Sequence, residues 1–207
     1  MKGYKKYFGD AIKYQYPESC NQMMDTIEFN YSQISKDTRF SFTSKNPVDR
    51  RLDFCAYFLS LIVTMDKMGE SYDKIRSLCL QIVSEYVRPK NGWQAMLKKI
   101  PPKLAGFWFS KYLLGVFNKK VSRNANPDGF LAKIITDKNL TYGFGYGVDI
   151  LECGICKLFL KHGYEKYTSI LCEVDKQTSA LAGLELIRTG TIALGATKCD
   201  FRFRKIK

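Results

Sequence analysis

Hydrophobic residues recur at three- and four-residue spacing through the first half of the chain and change to alternation after about residue 126. Tyr4, Tyr7, Phe8 and Ile12 fit one helical face, and a polar connection is expected from about Asn30 to Lys45. In "NPVDRRLDFCAYFLSLIVTMDKMG", Asn46 reads as an N-cap, Pro47 as the first helical residue, Asp49 as a first-turn acid and Gly69 as the terminator. Apolar side chains cover most of this helix's circumference, which predicts a central position. Ile75, Leu78, Cys79, Ile82, Val83 and Tyr86 form a second helical face that ends before Pro89. After Trp93 and the Pro101-Pro102 break, a third helix is expected from about Lys103 to Lys119.

Beyond "NANPDG", Phe130–Thr136 and Thr141–Leu151 read as two strands joined by the short link "DKN". Short helices are expected from Cys156 to Lys161 and from about Lys166 to Ala182, closed by Gly163 and Gly183. "LELIRTGTIALGATKCDFRFRK" then forms a second hairpin that turns near Gly195. This order predicts an α+β fold: N-terminal helices packed on a four-stranded antiparallel sheet, formed by two hairpins in the C-terminal half with two helices between them. The chain reads as a single domain, 1–207, mainly helical over 1–125 and α+β over 126–207.

The stretch "TYGFGYGV" raises a local question. As a strand it places Tyr142, Phe144, Tyr146, Val148 and Ile150 on one face, and Gly143, Gly145, Gly147 and Asp149 on the other. Three glycines in register imply close approach of another backbone, and a tightly packed helix is the expected neighbour.

Composition adds few exclusions. No apolar run reaches about 18 residues and the N-terminus lacks a signal-peptide core, so a soluble, cytoplasmic protein without a transmembrane segment is expected. Seven cysteines favour reduced thiols over a disulfide framework. The net charge of +13 admits anionic partners, and no acidic residue occurs between Glu85 and Asp128. The aromatic density of "KLAGFWFSKYLLGVF" nevertheless suits a buried helix or a lid, so no nucleic-acid partner is expected. P-loop, dinucleotide, HExxH and GxSxG motifs are all missing from the sequence.

Chemistry concentrates in the second half. Cys172, Asp175 and Ser179 line one side of a helix whose other side carries Ile170, Val174, Thr178 and Leu181. A thiol and a carboxylate one turn apart suit a nucleophile and a proton acceptor. Arg188, with Thr189 and Thr191, could hold a carboxylate. On the last strand Cys199, Phe201 and Phe203 face the core, while Asp200, Arg202 and Arg204 are exposed or line a cleft. No metal is expected, although Cys153, Cys156, Cys172 and Cys199 offer a weak zinc alternative. His162, the only histidine, reads as a helix-end cap.

The succession "ECGIC", "LCEVD", "IRTGTIALG" and "CDFRF" resembles the L-2-amino-thiazoline-4-carboxylic acid hydrolase family, and "AYFLSLIVTMDKMGESYDKIRSLCLQIVSEYV" looks like that family's N-terminal helices. The family in turn looks like the fold group of 4-vinyl-reductase-type and haem nitric-oxide-binding domains, with helices against an antiparallel sheet around a ligand pocket. The resemblance implies hydrolytic opening of a cyclic amidine-like thiazoline to a carbamoyl-cysteine, with a small-molecule substrate and no cofactor. On that footing Asp175 takes acid/base or water-activating work and Arg188 the substrate carboxylate, with Cys172 or Cys199 covalent or lining the pocket. Gly154, where relatives often carry a larger residue, and the basic aromatic segment 88–123 depart from the pattern. A binding or sensory module using the same pocket without turnover is the alternative, and a homodimer is left open.

Overall fold

Asn46 and Asp49 show how the helical half is tied to the sheet. Asn46 Oδ1 accepts the Val48 N–H at 3.0 Å, and its amide donates to the Phe130 carbonyl at 2.8 Å. Asp49 accepts the Phe130 N–H at 2.8 Å. Both backbone groups of a buried residue are thereby satisfied by one polar turn. A Cβ on Gly129 would lie 2.8 Å from Asp49 Oδ1, so this clamp requires glycine there.

The computed structural model describes residues 3–89, 108–123 and 126–206, with side chains described from residue 112 in the middle stretch. Four helices come first: α1 (Lys5–Gln15), α2 (Cys20–Ile34), α3 (Arg51–Lys67) and α4 (Tyr72–Val87). Then follow α5 (Trp108–Val121), β1 (Leu131–Ile135), β2 (Gly147–Glu152), α6 (Gly154–Lys161), α7 (Thr168–Leu181), β3 (Leu184–Ile187) and β4 (Cys199–Lys205). The Pro101-Pro102 break, Trp93 and the basic residues Lys90, Lys98, Lys99 and Lys103 lie outside the described residues. No helix among the described residues is long and apolar enough to cross a membrane.

α3 is central, as its all-round apolar pattern predicts: Leu52 and every residue from Cys55 to Met65 are buried. It ends at Gly69, whose φ of 80° suits glycine. Ser71 caps α4, which buries Ile75, Leu78, Cys79, Ile82 and Val83. The segment read as a polar connection is structured instead. α2 runs to Ile34 and a 3₁₀ stretch follows over Ser35–Phe42. Its buried Thr38 donates to the Ser35 carbonyl at 3.2 Å, so polar composition here reflects local hydrogen bonding rather than a loop.

The sheet order is β1-β2-β4-β3, all antiparallel: the two expected hairpins joined through β2 and β4. The glycine-rich stretch overturns the long-strand expectation. Tyr142, Gly143 and Gly145 have φ of 50°, 71° and 110°, so the chain turns there and the connection from β1 to β2 spans Thr136–Tyr146 rather than "DKN" alone. Gly147 alone of these glycines lies in the strand, and its neighbour is not a helix. A Cβ there would sit 2.8 Å from both Phe201 O and Arg202 Cδ on β4. The glycine that admits a helix is Gly154, whose Cβ would meet Leu52 Cδ2 at 3.1 Å and so lets α6 close on α3.

The main core lies among α1, α2, α3, α4, α6 and α7. Against the sheet the buried apolar groups are small: Val121 with Ala132 and Ile134, and Phe144 with Leu184. The space left between α3, α7 and the sheet is a cavity.

Candidate active site

The cavity has a volume of about 640 Å³. α7 turns Cys172, Asp175 and Ser179 into it, but Val174 and Thr178, expected on the opposite side, line it as well, so the cavity meets a broader face of the helix than the stripe predicted. The opposite wall follows from strand register. Val148 pairs with Phe201 and Ile150 with Cys199, and directly opposed residues share a face, so these four line the cavity together. Asp149 and Arg202 alternate onto the far face. The apolar set of β4 thus walls the cavity. Its charged set does not line it: Arg202 is buried against Asp149, and Asp200 serves the turn described below.

Arg188, just beyond β3, brings the candidate groups together. Its side chain is only 6% exposed, and its Nη2 donates to the Cys172 carbonyl at 3.0 Å. The guanidinium carbon stands 5.1 Å from the centre of the Phe201 ring, a cation–π arrangement. Nη1 lies 3.6 Å from Asp175 Oδ2 and has no hydrogen-bond partner. A buried guanidinium nitrogen with an unspent donor is costly unless something completes it. Arg51, 58% exposed at the rim, approaches Asp175 Oδ1 at 3.4 Å.

Burial raises the Asp175 pKa above the ordinary carboxylate value, against the opposing pull of Arg51 and Arg188. Burial also pushes the Cys172 thiol up to about 12, with Arg188 opposing. Cys199 is raised by burial as well, although the Ile192 N–H donates to its Sγ at 3.2 Å. Cys153, where β2 meets α6, behaves differently: the Cys156 thiol beside it holds it below the usual value, and Cys156 is raised in turn.

Asp175, Cys172, Cys199 and Arg188 therefore share one cavity, but Thr189 and Thr191 do not line it. Thr189 is exposed, and its Oγ1 and N–H donate to Asp200 at 2.8 and 3.0 Å, fixing the turn after Arg188. Thr191 is buried with its hydroxyl unpartnered. Of the four cysteines weighed as zinc ligands, Cys156 does not line the cavity, and among the described residues no three metal-binding side chains converge. His162 stands at the C-cap of α6 with Nε2 3.0 Å from Asp37. Sequence reasoning overlooked Arg51, Asp53 and Cys55 as site residues. The available signal was "RRLD" at the start of a helix buried on all sides, where charge needs a reason.

The elements that build this cavity, from α3 to β4, coincide with a match to the family model of L-2-amino-thiazoline-4-carboxylic acid hydrolase over residues 54–203. The chain belongs to that family. No curated protein and no solved structure gives a match. Family membership supports hydrolase-type function at the level of the family. The hydrolase match takes in Cys172, Asp175, Arg188 and Cys199 but begins just after Arg51 and Asp53, so the rim arginine lies outside it.

Proposed function

We propose that the protein opens the ring of L-2-amino-thiazoline-4-carboxylate, or of a related small anion, to a carbamoyl-cysteine. The observation that carries this reading is Nη1 of buried Arg188, which makes no hydrogen bond and stands 3.6 Å from Asp175. Arg188 receives the substrate carboxylate through a charge-assisted hydrogen bond from Nη1. Asp175 takes a proton from the water that attacks the ring carbon between nitrogen and sulfur, then returns it to the departing ring atom. A carboxyl with a raised pKa suits both halves of that cycle better than an ordinary one. With their thiols held protonated, Cys172 and Cys199 serve as neutral walls.

The cavity is large for this ring, which favours a second reading in which it binds a ligand without turnover. Mass-resolved turnover of the thiazoline, with Asp175→Asn in parallel, separates the two. Carbamoyl-cysteine produced by the wild type and lost in the variant supports the hydrolase and its site. A folded wild type that makes no product removes the thiazoline as substrate and leaves a related small anion or the binding module.

A further inference from the structure

The cavity lining crosses the sheet from edge to edge. Arg188 follows β3, Phe201 stands on β4, Val148 and Ile150 on β2, and Phe130 directly precedes β1. Three neighbouring strand spacings of about 4.8 Å give roughly 14 Å of length. An aminothiazoline carboxylate spans roughly half of that or less, as ordinary bond lengths require. The volume of about 640 Å³ likewise falls within the range of sites for drug-sized ligands, roughly 300–1,000 Å³.

Polarity changes along this length. At the β3 and α7 end stand Arg188, Asp175 and rim Arg51. At the β1 end the lining is Phe130, Phe117 and Val48, with Phe130 buried and Phe117 39% exposed at the rim. Asp53, the other acid in the lining, is covered by the hydroxyls of Tyr4 and Tyr31 at 2.9 and 2.6 Å. Around Phe130 and Phe117 the wall is thus apolar, with the exposed Arg50 at its rim in the same 3₁₀ turn as Val48, and the polar end offers one buried donor without a hydrogen-bond partner.

We infer that the ligand is an amphipathic carboxylate: its head meets Arg188 Nη1, and an alkyl or aryl extension crosses β4 and β2 toward Phe130. This rests on reading Arg188 as the carboxylate-binding group, and it widens the substrate from a bare ring to one carrying an apolar substituent. Burial of each methylene favours association by the ordinary hydrophobic transfer, so affinity climbs with chain length until the apolar end is filled.

Calorimetric titration of the whole protein with hexanoate, octanoate and decanoate, and with decanol, tests this. The expected gain is about fourfold per buried methylene, or about fifteenfold from octanoate to decanoate. Decanol should bind at least tenfold more weakly than decanoate, and Arg188→Met should erase that difference. Val148→Trp should block decanoate while sparing hexanoate. Because that change could disturb the sheet, Phe117→Lys at the half-exposed rim reads the same end and should also weaken decanoate selectively. Affinity that does not change with chain length, or decanol equal to decanoate, overturns the inference. Thiazoline turnover uninhibited by decanoate also overturns it while leaving the hydrolase intact. Length-dependent binding without thiazoline turnover does the reverse.

Discussion

The same sheet carries a buried carboxylate–arginine pair on each face, and the two pairs behave oppositely. On the far face Asp149, its side chain 7% exposed, accepts Arg202 at 2.8 Å and Lys198 at 2.6 Å. On the cavity face Asp175 lies 3.6 Å from Arg188 and 3.4 Å from Arg51. Burial raises both acids, but around Asp149 the hydrogen bonds from Lys198 and Arg202 outweigh it and the pKa is lowered. Around Asp175 burial wins. The Asp149 contacts are shorter by 0.6–1.0 Å, and their stronger hydrogen bonds recover the desolvation penalty, whereas the longer contacts from Arg51 and Arg188 oppose burial of Asp175 without outweighing it. The tight pair ties β2 to β4; the loose pair leaves Arg188 Nη1 without a hydrogen bond and Asp175 with a raised pKa, the features on which the proposed function rests.

The largest test of this contrast is Asp149→Ala. It leaves Arg202, 9% exposed, without its carboxylate, and removing one partner of a buried pair destabilises by about 3–5 kcal/mol. Urea unfolding should show that loss, and a change below about 1 kcal/mol would mean that the far-face pair is not structural. Arg188→Met should invert the pattern. Asp175 can neutralise itself by keeping its proton, so stability should fall by less than in Asp149→Ala. Activity on the thiazoline should drop by roughly 10- to 150-fold in kcat/KM, the worth of a hydrogen bond to a charged group. Equal losses of stability in the two variants would break the comparison.

A third, smaller effect concerns the packing under the far-face pair. Gly147 has Arg202 Cδ and Phe201 O at 2.8 Å from the site of a Cβ, so Gly147→Ala forces backbone or guanidinium to move. A loss of about 1–3 kcal/mol is expected, as for overpacking generally. Gly143→Ala, strained only by its φ of 71° and with nothing near the added carbon, should lose about 1–2 kcal/mol, toward the lower end of the Gly147 range. The ranking is read from paired urea midpoints, and reversal would assign the glycine run to turn conformation rather than strand contact.

These two glycines also mark where sequence reading succeeded and failed. Alternation on β4 was legible: Cys199, Phe201 and Phe203 share the cavity wall and Arg202 turns away, because a period of two leaves no other choice in a paired strand. The Cys172–Asp175–Ser179 side of α7 was legible in part at helical period, because the cavity also takes in Val174 and Thr178 from the stripe assigned to the opposite side. The run Tyr142–Gly147 shows the identical alternation yet turns, since glycine at every second position also permits positive φ and pattern alone does not separate the two. The partners of Asp149 are also absent from any local pattern, since Lys198 and Arg202 lie about fifty positions away and meet it only through the β2–β4 register. Arg51 was hidden by its helix, whose apolar residues occupy every face and so point to no cavity.

The subtlest test uses pH, where the two acids should pull in opposite directions. Asp149 has a folded pKa below its ordinary 3.8, so the stability it contributes is complete above that value and is lost as pH falls through the folded pKa. Asp175 has a folded pKa above 3.8, so its protonated form favours folding. Its unfavourable contribution therefore develops as pH rises from the unfolded value through the folded one. Urea midpoints measured from neutral pH down to about pH 3, near the unperturbed carboxylate range, should separate them. Asp149→Asn should remove part of the acid-side loss seen in the wild type, whereas Asp175→Asn should steepen the net rise of stability with pH, because the opposing term is gone. If both variants shift the slope in the same direction, the two carboxylates are not held in opposite states, and the proton that Asp175 is proposed to carry in catalysis has no structural basis.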